Sequence, residues 1–155
     1  MDISGREGNN LKEIWSEGPS TYLGLQVSNF PNMFMITGPG SPSVLSNMPV
    51  SIEQHIDWIK EIIKYSRDRG IDTIEVEAEA EKEWGEHVNE IAEKTLYMQA
   101  NSWYLGANIP GKPRVFMPYA GGVGTYRKRC VEIATEGYPG FRLSKHNATE
   151  TVAAD

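Results

Sequence analysis

The sequence predicts an α/β fold, and three observations carry that expectation. Ile52, Ile56, Ile59 and Ile63 recur at helical spacing with charged residues between them, the pattern of an amphipathic helix. Soon after it, Ile74, Val76, Ala78 and Ala80 alternate with Glu75, Glu77, Glu79 and Glu81, the period of a strand. Apolar runs at residues 33–37 and 114–119 flank the helical segments, so strands and helices alternate along the chain.

Taken in order, Ile3 opens a short strand that turns at Gly5, Gly8 and the two asparagines after it. Residues 11–15 make one helical turn, ended by Gly18-Pro19-Ser20. Tyr22, Leu23, Leu25 and Val27 form a strand candidate interrupted by Gly24, and Phe30-Pro31-Asn32 turns the chain. The run Met33-Phe34-Met35-Ile36-Thr37 is apolar on both faces, as in a strand inside a sheet. Gly38-Pro39-Gly40-Ser41-Pro42-Ser43 is a loop with little bulk and a fixed backbone. Ser46 and Asn47 are candidate N-caps, and Pro49 sits where a first helical turn tolerates proline. Gly70 stops that helix. Residues 71–80 begin as a strand and end as the start of a second helix, whose inner face is Trp84, Val88, Ile91 and Thr95. A glycine- and aromatic-rich loop spans residues 97–113. Residues 114–119 are a buried-strand candidate, Gly121-Gly122 turns, and residues 126–137 are a short helix. Residues 144–155 are polar and aperiodic, expected as a disordered tail.

Composition narrows the function. A net charge of −6 leaves no basic stripe to meet phosphates, so no nucleic-acid partner is expected. No apolar run approaches the roughly 18 residues of a membrane span, so no membrane partner is expected either. The single Cys130 excludes an internal disulfide framework and suits a cytoplasmic setting. Three scattered histidines and one cysteine give no metal-ligand spacing. His55 and His87 read as surface or satisfied-core histidines. Cys130 reads as a buried small hydrophobe, and the acidic run at residues 75–83 as a solvated face. No Gly-x-Gly-x-x-Gly stands at a strand–helix junction, so the chain carries no dinucleotide fingerprint of its own.

Three long motifs are specific. The first is Asn32-Met33-Phe34-Met35-Ile36-Thr37-Gly38-Pro39-Gly40-Ser41-Pro42 through Ser46-Asn47-Met48, followed by Ser51-Ile52-Glu53-Gln54-His55. The second is Ser102-Trp103-Tyr104 with Gly106-Ala107-Asn108-Ile109-Pro110-Gly111-Lys112-Pro113. The third is Val115-Phe116-Met117 with Tyr119, Gly121 and Gly122. In this order they resemble the C-terminal segment of flavin-dependent Baeyer–Villiger monooxygenases. The phenylacetone and steroid branch is nearer and cyclohexanone monooxygenase more distant, and the likeness runs from Met1 to about Leu143.

The resemblance implies that residues 1–143 are the C-terminal segment of the FAD-binding domain of a flavoprotein with two dinucleotide-binding domains. It also implies a mobile NADP-contacting loop at residues 97–113. The implied activity is insertion of one oxygen atom of O2 beside a ketone carbonyl, giving an ester or lactone, with FAD and NADPH as cofactors. Both nucleotide fingerprints, the family's Phe-x-Gly-x-x-x-His-x-x-x-Trp motif and its flavin-facing arginine have no counterpart here, so no catalytic residue is assigned. Met1 is expected to be an internal methionine used as a start or a cut, and the isolated chain to be inactive. The expected partners are the ketone, O2 and the missing N-terminal FAD and NADP domains, in the same or a separate chain.

By the same resemblance Gly38, Pro39, Asn47 and Met48 face FAD, and Trp103 and Lys112 meet NADP. Ser43, Val44, Leu45 and Met117 border the ketone. Residue types alone leave plainer roles open: helix capping for Asn47, core packing for Met117, a loop anchor for Trp103 and a solvated lysine at 112. Pro118 replaces the bulky apolar residue usual in the family, which puts substrate size and shape in question. Two other readings stay open, a stand-alone binding module and one half of a split monooxygenase.

Overall fold

The structure, a computed structural model, describes residues 2–99, 103–106, 110–111 and 113–145. Helix and strand are mixed, as expected, but helices dominate. The elements in order are α1 (Leu11–Ile14), α2 (Met48–Arg67), β1 (Thr73–Val76), α3 (Ala78–Glu93), α4 (Val123–Thr135) and β2 (Phe141–Ser144), joined by short 3-10 turns.

The long helices follow the sequence pattern. α2 begins after Asn47 with proline in its first turn, and Gly70 takes φ +63° beyond its end. α3 buries Trp84, Val88 and Ala92. α4 starts after Gly122 at φ +84°, three residues earlier than expected, and buries Tyr126, Cys130 and Ile133.

The strands are where the expectation fails. β1 covers the first half of the alternating stretch, as expected, but its partner is β2. The pair is antiparallel, with Thr73 opposite Ser144 and Val76 opposite Phe141. Ser144, the first residue of the expected tail, is therefore hydrogen-bonded sheet, and residues 146–155 lie outside the described residues. Residues 22–27 form a tight turn closed by a single bridge between Tyr22 and Gln26, with Leu23 at φ +59° and Gly24 at +72°. Residues 33–37 and 114–119 are extended or turning backbone outside any strand. Burial explains the misreading: Tyr22, Leu23, Leu25, Val27, Phe116 and Tyr119 are all in the core. An apolar run reports that a segment is inside, while a strand also needs a neighbour for its N–H and C=O groups.

Side chains stand in for such a neighbour at β1. The Asn32 N–H donates to Ile74 O at 2.8 Å, the Ile74 N–H donates to Asn32 Oδ1 at 2.9 Å, and Gln26 Nε2 donates to Ile74 O at 3.0 Å. On the same strand the Glu75 carboxylate, 1% exposed, receives Arg6 at 2.9 Å and Arg142 at 2.8 Å, tying the N-terminal segment to both strands.

The core is aromatic. Trp58 and Trp84 meet Tyr22, Tyr119, Tyr126, Tyr138 and Phe141, with Trp84 stacked on Tyr119 at 5.4 Å between centroids. Buried indoles need a partner for their N–H; Trp58 donates to Cys130 O at 2.9 Å and Trp84 to Gly40 O at 3.1 Å. α2 turns Ser51, His55, Trp58, Ile62 and Ser66 inward, and of the isoleucine stripe Ile59 packs against the edge of this core. Ile56 and Ile63 remain 48% and 47% exposed. The buried strip meets α4 through Trp58 and His55.

Candidate functional site

The three motifs, far apart in sequence, converge through backbone hydrogen bonds. Gly40 N–H donates to Met117 O at 2.6 Å, Met117 N–H to Tyr104 O at 3.1 Å, and Tyr119 N–H to Ser41 O at 2.7 Å. The extended segment at residues 115–119 thus lies between the 38–42 loop and the Trp103–Leu105 turn, bonded to both. Phe116 and Leu105, each almost fully buried, form a small second core with Ala92, and Leu45 and Tyr104 pack on it. Leu45, Met117 and the Trp103 turn therefore share one region.

Glycine at 38 has a packing reason. A Cβ there would stand 2.4 Å from Met35 Sδ and 2.7 Å from Gly24 O. Gly24 and Gly38 touch, and Gly38 N–H donates to Gly24 O at 3.1 Å. The bareness of the loop at this point serves contact within the chain. Thr21 Oγ1 donates to Pro39 O at 2.5 Å and receives Gly24 N–H at 2.9 Å, which further fixes the loop.

The loop then makes a 3-10 turn at Ser43–Leu45, where Ser46 Oγ donates to Ser43 O at 2.7 Å and meets Ser51 Oγ at 2.6 Å. Val44 is 41% exposed on this turn. Asn47 occupies the N-cap position of α2 but makes no side-chain cap bond, and the first turn holds no acidic residue. Met48 is half-buried there. The donor set is thus backbone N–H uncovered by a capping side chain, at the positive end of a twenty-residue helix. Such a set suits an acceptor-rich edge that gains negative charge.

Trp103 is 55% exposed and lies against Tyr104 at 4.2 Å between ring centroids. Lys112 lies outside the described residues.

Sequence reasoning missed one buried network. His55 is fully buried; its Nδ1 accepts Thr37 N–H at 2.9 Å, and its Nε2 lies 2.9 Å from Tyr126 Oη. Tyr126 Oη donates to Leu23 O at 2.6 Å. Burial lowers the His55 pKa to about 4 and pushes the Tyr126 hydroxyl well above its ordinary value. A histidine one helical turn beyond Ser51, on the face beside the isoleucines, was the available signal.

No family model matches the chain. It is 43% identical to cyclohexanone 1,2-monooxygenase of Acinetobacter sp., over 92% of this chain and 26% of that protein. Identity is 42% to a Baeyer–Villiger monooxygenase of Pseudooceanicola batsensis, over 89% of this chain and 25% of that one. The chain is a homologue of a segment of the Baeyer–Villiger monooxygenases. A solved steroid monooxygenase bound to NADP superposes on 93% of this chain with a TM-score of 0.86 and 49% identity, using 26% of its own chain. The segment spans about a quarter of the length of the relatives it matches. No helix among the described residues is long and apolar enough to cross a membrane.

Proposed function

We propose that this chain supplies one wall of the cofactor and ketone site of an NADPH- and FAD-dependent Baeyer–Villiger monooxygenase, acting in the cytoplasm. The convergence of residues 38–48, 103–105 and 115–119 on one region carries the reading. Each segment comes from a different motif of the resemblance, and the relatives' cofactors are FAD and NADP. FAD with NADPH and O2 supplies the oxidising chemistry, and the protein's part is to bind, orient and shield.

The residues present fit that part. The α2 N–H groups at Asn47 and Met48 would take the pyrimidine edge of the flavin, an interaction of roughly 0.3–1 kcal/mol if exposed and up to about 2 if partly buried. The Gly38-Pro39 backbone, held rigid by Gly24 and Thr21, would back the ring. Trp103 would lie over the NADP nicotinamide and keep water out, with Lys112 near the phosphates. Ser43, Val44 and Leu45 would line one side of the ketone and Met117 another.

The remainder of the site belongs to the missing nucleotide-binding part, in the same chain or a separate one. Exposed Ile36, Ile56 and Ile63 are apolar surface of the kind such a part covers. The test is to join the chain to the FAD- and NADP-binding part of a matching relative and follow ketone-dependent NADPH oxidation. The joined protein is expected to turn over and the chain alone to be inactive. In the joined protein, Trp103→Ala is expected to raise KM for NADPH about tenfold or more and to increase uncoupled NADPH consumption. A chain that melts cooperatively as a monomer, and whose presence changes nothing in the joined assay, would instead support a stand-alone binding module.

A further inference from the structure

We propose that His55 is a positioning residue: as the neutral Nε2–H tautomer it clips together the two left-handed turns from which the Gly38-Pro39 loop is presented. The tautomer follows from the fixed ends of the chain of hydrogen bonds. A backbone N–H can only donate, so Nδ1 of His55 must accept from Thr37. A backbone C=O can only accept, so the Tyr126 hydroxyl spends its proton on Leu23 O. The Tyr126 oxygen must then accept, and the remaining proton sits on His55 Nε2. Every link runs in one direction: Thr37 N–H to His55, His55 to Tyr126, Tyr126 to Leu23.

The two ends of this chain matter. Thr37 stands at φ +55° and Leu23 at +59°, conformations that L side chains adopt at a cost. Each immediately precedes a glycine of the contact pair, Gly38 and Gly24, which are themselves hydrogen-bonded. His55 therefore holds both sides of the junction, from a helix whose N-terminus lies on the same site. A proton added at Nδ1 would set two N–H groups face to face and open the clip. The groups facing the ring are the Thr37 amide from the loop and the Tyr126 hydroxyl from α4, and Cys130 lies beside Tyr126. Burial raises the pKa of the Tyr126 hydroxyl and raises that of Cys130 to about 11, so both stay neutral.

That this clip serves a flavin rests on the proposed function, and the experiment separates the two. Amide hydrogen exchange at Thr37 is measured in the 155-residue chain for wild type, His55→Asn and His55→Gln. FAD affinity is measured in the same variants joined to the nucleotide-binding part. Asn places its Oδ1 near the Nδ1 position and keeps the acceptor for Thr37; Gln reaches the Nε2 position and loses it. The expected result is Thr37 exchange about tenfold faster in His55→Gln, near wild type in His55→Asn, and FAD affinity falling in the same order. Equal Thr37 exchange in all three overturns the role of His55. Faster exchange in His55→Gln with FAD affinity unmoved upholds the clip and counts against the flavin reading of the loop. Should both variants fail to fold, 15N NMR of wild-type His55 decides: Nδ1 unprotonated at neutral pH and down to about pH 4 supports the clip, and Nδ1–H at neutral pH overturns it.

Discussion

Glycine at 24 combines φ +72° with a neighbour where a side chain would go, since a Cβ there would lie 2.5 Å from Ser41 Cβ. Gly24→Ala is expected to cost roughly 2–5 kcal/mol, from left-handed strain plus overpacking. That corresponds to a fall in Tm of about 5–15 °C by calorimetry. Gly85, inside α3, meets nothing within 4 Å, and Gly85→Ala is expected to raise stability by about 0.5–1 kcal/mol. His55 gives a pH dependence of known sign. Its folded pKa, about 4, lies below the ordinary 6.5, so the folded state binds fewer protons. Stability from this residue is complete above about pH 6.5 and is lost as the pH falls toward 4. Urea titrations across that window should show the loss in wild type and its absence in His55→Asn. The network was illegible in the sequence because the partners of His55 lie 18 and 71 residues away. A satisfied-core histidine was one of the expected readings, but nothing local named Thr37 or Tyr126.

Elements were legible where a periodic face met a cap. α2, α3 and α4 follow from their spacing with Asn47, Gly70 and Gly122 at their ends. Strands were less legible because residues 22–27 owe their apolar character to burial and residues 33–37 are apolar yet only partly buried, while the polar backbone groups of both bond to turns and side chains. β2, in the stretch Phe141-Arg142-Leu143-Ser144, carried too short a pattern to stand out. Its Arg142 has a clear role once β1 is beside it. Burial alone would raise the Glu75 pKa, but hydrogen bonds from Arg142 and Arg6 outweigh it and leave the carboxyl below its ordinary value. This stabilisation is present above the unfolded pKa near 4.5 and is lost as the pH falls through the lower folded value. Arg142→Met should weaken that low-pH loss and loosen β2 first, seen as faster amide exchange at Glu75 and Glu77, whose N–H groups face that strand.

At the scale of the molecule, an aromatic core whose two tryptophan N–H groups have partners sits beneath an exterior that carries exposed apolar side chains. Ile36, Ile56 and Ile63 stay exposed, and the α2 N-terminus, the Ser43–Leu45 turn and Trp103 gather near one region. The family was legible from three motifs in order, because the segments that carry them are the ones the fold brings together. That the chain spans about a quarter of its relatives' length came from the comparison and not from the motifs. The most direct measurement is FAD uptake, read by flavin fluorescence, when this chain is mixed with the nucleotide-binding part of a matching relative. The mixture is expected to retain FAD about tenfold or more tightly than that part alone, and Ile56→Lys with Ile63→Lys to abolish the gain without unfolding the chain. Equal FAD retention with and without the chain would contradict it.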